Sequence, residues 1–94
     1  MLTLPIKQKW FDMIASGFKK EEYREITPYY EARLGKYMDD GLFRIILRAG
    51  YRKDSPKLNC LVRGRKGTGR PEWGAEPGKE YFVLRIYEKS RIWG

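Results

Sequence analysis

Ser16-Gly17-Phe18-Lys19-Lys20-Glu21-Glu22-Tyr23-Arg24 marks the point where a short amphipathic segment gives way to a charged, extended one. Upstream, residues 7–16 read as a helix, because Ile6, Trp10, Met13 and Ile14 fall on one face at i, i+4, i+7 and i+8. Gly17 is placed to end that helix in a left-handed turn. Downstream, residues 19–26 read as a strand that is exposed or lines a cleft, since so many charges do not suit a buried one.

Outward from this junction the periodicity is mostly that of a sheet. Leu2, Leu4 and Ile6 alternate with Thr3 and Pro5, which predicts a first strand, with the proline favouring an edge position or an early end. Pro28 fits the first turn of a second helix, with Tyr30, Leu34 and Tyr37 as its inner stripe and an end before Gly41. Residues 43–51 place Phe43, Ile45 and Leu47 on one face and Arg44, Ile46 and Arg48 on the other. Residues 58–66 and 80–89 are the last two long strands, the latter with Phe82, Leu84 and Ile86 inward and Tyr81, Val83, Arg85 and Tyr87 opposite. Between them, residues 64–70 read as a flexible loop, and the tail from Arg91 to Gly94 as a further short strand or clamp. The order β-α-β-α-β-β-β predicts a single α+β domain over residues 1–94: a small curved sheet or partial barrel of five to six strands with two short helices packed at its ends.

Gly17-x-Lys19-x-x-Glu22-x-Arg24, directly after a short amphipathic helix, resembles the signature of the ASCH domain family, a branch of the PUA-like superfamily. Leu4-Pro5-Ile6-Lys7, Trp10-Phe11-Asp12, Ile14 and Ser16-Gly17 are similar to that family's opening strand and helix, and Pro28-Tyr29-Tyr30 to the aromatic stretch that follows its motif. The likeness is closest over residues 1–30 and continues more loosely to the last strand. It implies a PUA-like pseudobarrel with a cleft beside the motif, where RNA or a nucleotide-like ligand binds. It also implies, for some relatives, hydrolysis of acylated cytidine-type nucleosides or of RNA. In the amidohydrolases the motif lysine is catalytic and a threonine lies three residues later. Lys19 matches the lysine, and Glu22 departs from that pattern by standing where the threonine would be.

Charge points to the same kind of ligand. The net charge is +8, and residues 42–70 hold nine of the twenty cations and one of the twelve anions, leaving eleven of each elsewhere. The whole excess therefore sits in one stretch, the footprint of a polyanion-binding face. Arg44, Arg48, Arg52, Lys53, Arg63, Arg65, Lys66 and Arg70 are the candidate phosphate contacts, and Tyr51, beside Arg52 and Lys53, is the candidate for stacking on a base. An acidic protein partner is the competing reading, and a solvated basic face the plainer one.

Chemistry at the motif has narrower options. There is no histidine and one cysteine, Cys60, which excludes Ser-His-Asp and Cys-His nucleophile pairs and an internal disulfide. A zinc site would need mostly carboxylates, so neither a metal nor an organic cofactor is expected. Cys60 alternates with Val62 and reads as a small buried hydrophobe. Glu22 and Arg24, two apart on a strand, leave the same face, and Lys19 can reach the same cleft from the preceding turn. Together with Gly17 they form a candidate ligand-binding cleft, or an ion-pair network that holds helix to sheet. A neutral Lys19 with Glu22 as proton shuttle would be the catalytic version: burial favours the neutral amine and the nearby carboxylate opposes it. Trp73, in the Gly- and Pro-rich residues 67–78, is read either as a base-stacking lip on that cleft or as a plug in the open end of the barrel. Gly67-Thr68-Gly69 lacks the Gly-Lys-Ser/Thr ending of a P-loop.

No apolar run approaches the ~20 residues that cross a bilayer, and the N-terminus lacks the basic start and apolar stretch of a signal peptide. A cytoplasmic protein with no membrane partner is expected.

Overall fold

Alternating apolar residues build the sheet and choose its inner face. The computed structural model describes residues 1–92 and contains five strands and two helices, in the order β1 (Leu2–Pro5), α1 (Gln8–Ala15), β2 (Glu21–Glu25), α2 (Pro28–Leu34), β3 (Leu42–Arg48), β4 (Lys57–Thr68) and β5 (Glu80–Ile92). Single 3-10 turns lie at Gly35–Tyr37 and Pro71–Trp73. The strand order is β1-β3-β4-β5-β2, with β1 parallel to β3 and every other pair antiparallel. The sheet curls into a half-barrel, as the α+β reading expects.

Leu4, Ile45, Leu47, Leu58, Cys60, Val62, Phe82 and Leu84 line the inner face, and Phe11 and Ile14 of α1 with Leu34 of α2 are completely buried against it. Trp10 and Tyr30 pack at the margin of this core. The fully buried aromatic of α1 is thus Phe11, one position beyond the predicted Trp10. Gly17 ends α1 with φ 86°, and its N–H reaches the Ile14 carbonyl at 3.0 Å. α2 begins as predicted at Pro28, with the Thr27 hydroxyl accepting from the Tyr30 N–H at 3.2 Å as its N-cap.

Two expectations need correction. β2 is buried, not exposed: Glu21, Glu22 and Arg24 are each at most 9% accessible, because ion pairs within and around the strand satisfy their charges. Residues 64–68 are strand, not flexible loop. Gly64 pairs with Leu84 and Thr68 with Glu80, so β4 runs for twelve residues alongside β5. The outer face of β5 is also partly buried, since Tyr81 and Val83 form a second small core with Ala75 and Tyr23. The strap 69–79 covers them. From the tail, Arg91 and Ile92 continue β5, and Trp93 and Gly94 lie outside the described residues.

Candidate functional site

Two groups of charged residues stand on opposite sides of the sheet. Glu22 and Arg24 pair with Leu84 and Phe82 of β5, which puts them on the inner face. Lys19 enters from the turn after α1, where its own N–H is held by the Met13 carbonyl at 2.9 Å. The motif residues therefore do converge. Glu22 bridges the two cations, with Oε1 3.2 Å from the Lys19 Nζ and Oε2 2.6 Å from an Arg24 terminal nitrogen. Arg24 also donates to the Tyr30 hydroxyl at 3.1 Å. Lys19 donates to the backbone carbonyl of Trp73 at 2.5 Å, and its ammonium lies 5.1 Å from the Trp10 ring and 4.8 Å from that of Tyr23.

This cluster is closed. Lys19 is 2% accessible, Glu22 6% and Arg24 9%. Burial is the main influence on Lys19 and pulls its pKa below the ordinary 10.5, outweighing the carboxylate of Glu22 that works to keep it charged. Burial also works against the charge of Arg24, but Glu22 and the Tyr30 hydroxyl prevail and raise its pKa. Two cations share one carboxylate here.

The strap 69–79 is the cover. Its Arg70 N–H donates to the Tyr23 hydroxyl at 2.9 Å, and that hydroxyl donates to Glu21 at 2.7 Å. Gly69 lies directly on the Tyr23 ring, and Gly74, at φ 102°, against Trp10. Trp73 is 9% accessible and sits under Arg70, whose guanidinium is 5.1 Å from its ring. Trp73 is packed in this structure, and its contribution to the cluster is a main-chain carbonyl.

The outer face carries the second group. Since Ile45 and Leu47 point inward, Arg44 and Arg48 of β3 point outward, and register places Leu61 and Lys57 of β4 beside them. Arg63 and Arg65 of β4 and Arg85 of β5 continue the same face. Arg48 donates to the Arg52 carbonyl at 2.6 Å, while its buried Nε has no partner among the described residues. Past the end of β3, Tyr51 is 84% accessible and lines an open pocket of about 410 Å³ with Lys7, Gln8 and Gly50. Arg52 and Lys53 are exposed in the same turn. Most of the predicted phosphate contacts thus share one surface. Lys66 and Arg70 do not: Lys66 is on the inner side, 3.4 Å from Glu31 of α2, and Arg70 belongs to the strap, 3.7 Å from Glu72.

No protein-family model, curated protein or solved structure matches this chain. Its own geometry carries the functional argument. Sequence reasoning missed Arg85, which completes the basic face. The signal was present in the outward parity of Tyr81, Val83, Arg85 and Tyr87, although Arg85 lies outside the basic stretch 42–70.

Proposed function

We propose that this chain is an RNA-binding domain of the ASCH, PUA-like type that holds a short single strand on the outer face of its half-barrel. The observation that carries this is the gathering of Arg44, Arg48, Lys57, Arg63 and Arg65 on one face of β3 and β4, opposite the face that carries the core. Six residue steps along β3 cover about 20 Å at a strand's rise per residue, enough for several phosphates in succession. At one end of this track the exposed Tyr51 ring offers a flat surface for a base, as single-strand recognition requires. The motif residues support the surface from behind. With their polar atoms engaged by one another and by the strap, they fix β2 and the 69–79 segment against the barrel.

The test is binding of a short single-stranded RNA to wild type, Arg44→Glu and Lys19→Met. Reversing Arg44 on the track is expected to lower affinity by about tenfold or more, while Lys19→Met leaves it within about twofold. Binding to an acidic polypeptide but not to RNA would contradict the proposal in favour of a protein partner.

Hydrolysis at the motif is a second reading, favoured by one observation: burial lowers the pKa of Lys19 and two cations share a single carboxylate there. A lysine whose pKa burial lowers is a candidate base or nucleophile, and a substrate would reach it once the strap lifts its Trp73 carbonyl from Lys19. Turnover of an acylated cytidine or of RNA by wild type, abolished in folded Lys19→Met, would support this reading. Turnover unchanged in that variant removes Lys19 as the catalyst.

A further inference from the structure

An open pocket of about 380 Å³ lies on the outer face, between β2, β4, β5 and the turn that precedes β3. Three arginines line it, and their register is unusual. Arg63 of β4 and Arg85 of β5 are direct cross-strand partners. Like charges facing each other across an antiparallel pair repel and destabilise the sheet. Neither guanidinium has an ion pair or hydrogen bond to any described residue. The third arginine, Arg65, is already engaged by Glu21 at 3.4 Å, and Glu21 is held in turn by the Tyr23 hydroxyl at 2.7 Å. Glu21 also stands opposite Arg85 in the β2–β5 register, so with Asp39 the wall sets two carboxylates against three guanidiniums and keeps a net positive charge, while the hydrogen-bond donors of Arg63 and Arg85 stay unengaged by any described residue.

Two further features of the wall are specific. Asp39 adopts φ 59°, a left-handed conformation uncommon for a residue with a side chain, and is pinned there by its N–H on the Gly64 carbonyl at 2.8 Å. Its exposed carboxylate has no partner among the described residues. Tyr87 is the residue skipped where the β4–β5 register shifts: Val62 pairs with Ile86 and Leu61 with Glu88. A bulge of this kind re-aims the side chain at its apex, and the Tyr87 ring is 57% accessible beside the arginines.

We infer that this pocket holds a nucleotide bearing a phosphate monoester, either the terminal nucleotide of an RNA strand or a free nucleoside monophosphate. Arg63 and Arg85 grip the phosphate, Asp39 accepts hydrogen bonds from ribose hydroxyls, and Tyr87 stacks on the base. A monoester carries nearly two negative charges at neutral pH, against one for a phosphodiester inside a chain, so it draws more from two guanidiniums whose donors are unengaged. Carboxylate acceptors beside cations suit a nucleotide, which has hydroxyl donors, and not a bare anion. The pocket lies within the small-ligand range of about 300–1,000 Å³. The RNA-end version deepens the RNA-binding reading and rests on it; the free-nucleotide version does not.

The experiment measures binding of one short oligouridine with a phosphate or a hydroxyl at each end, and of uridine, uridine monophosphate and inorganic phosphate, to wild type, Arg85→Gln and Arg44→Gln. A terminal phosphate is expected to tighten the oligonucleotide about tenfold or more through charge-assisted bonds. That increment should vanish in Arg85→Gln and survive in Arg44→Gln. Without ligand, Arg85→Gln should melt close to the wild-type temperature, because it removes the repulsion from Arg63 together with the attraction to Glu21 on the other neighbouring strand; this also shows that lost binding is not lost folding. If the RNA binds equally with either end and the free monophosphate does not bind, this inference is overturned and the RNA reading stands. If the RNA does not bind but the free monophosphate does, through Arg85, the pocket stands and the RNA reading falls. Binding of inorganic phosphate as tight as the nucleotide overturns the roles given to Asp39 and Tyr87. Binding of nothing overturns both readings.

Discussion

Glu22 is the residue on which the buried cluster turns, because its two carboxylate oxygens each satisfy a different cation. Removing one partner of a buried charge network costs far more than the network contributes, since the remaining charges stay desolvated. Glu22→Ala is therefore expected to lower stability by about 3–5 kcal/mol. Lys19→Met leaves the Glu22–Arg24 pair whole and mainly orphans the Trp73 carbonyl, about 1–3 kcal/mol. Urea unfolding of the two variants should give that order, and the reverse order would contradict the role assigned to Glu22. Lys19 also has a pH signature. Its folded-state pKa is lowered, so between that value and 10.5 the unfolded chain binds more protons than the folded one, and stability gains with rising pH. Cys60, pushed up to about 11 by burial, has the opposite sign: its contribution is present below pH 9.0 and is lost as pH rises towards 11. Tyr23, also raised by burial, adds to that loss above pH 10. Because Cys60 and Tyr23 are common to both proteins, wild type should gain stability relative to Lys19→Met as alkaline pH is approached. A flat difference between the two would mean that Lys19 titrates as an ordinary exposed lysine.

At the scale of elements, periodicity was legible wherever a segment faces core on one side only. α1, α2, β1 and β3 show this in Leu4, Ile14, Leu34, Ile45 and Leu47, whose spacing matches the face they bury. β2 and the far half of β4 were not legible, for a common reason. Local composition reads Glu21-Glu22-Tyr23-Arg24 as solvated and Gly64 to Gly69 as loop, but partners distant in sequence decide both. β5 supplies the ladder for each, and the strap covers the outer side of β2. The Lys19, Glu22 and Arg24 convergence was legible from spacing, whereas its closure by the Trp73 carbonyl was not. The strap's fit supplies an element-scale prediction. A Cβ at Gly69 would meet the rigid Tyr23 ring, whereas one at Gly64 would meet the flexible end of Met38. Gly69→Ala should cost about 1–3 kcal/mol as an overpacked contact, and Gly64→Ala clearly less. Thermal melts compare them directly, and equal losses would show that the strap is not seated on Tyr23.

Over the whole molecule, the sheet separates two kinds of charge. Inside, Lys19, Glu22 and Arg24 pair with one another and anchor the strap. Outside, arginines collect along β3, β4 and β5 with few carboxylates among them. No helix among the described residues is long and apolar enough to cross a membrane. The outer face has the charge and the exposed tyrosines that a single strand of RNA requires. The most direct test of this account is a salt titration of binding to a short single-stranded RNA. With about four phosphates neutralised, the logarithm of the binding constant should fall with the logarithm of salt concentration at a slope near −3. Arg44→Gln should make that slope shallower by about 0.7, and Lys19→Met should leave it unchanged. A flat salt response, or a slope that changes with Lys19 and not with Arg44, would contradict an RNA site on the outer face.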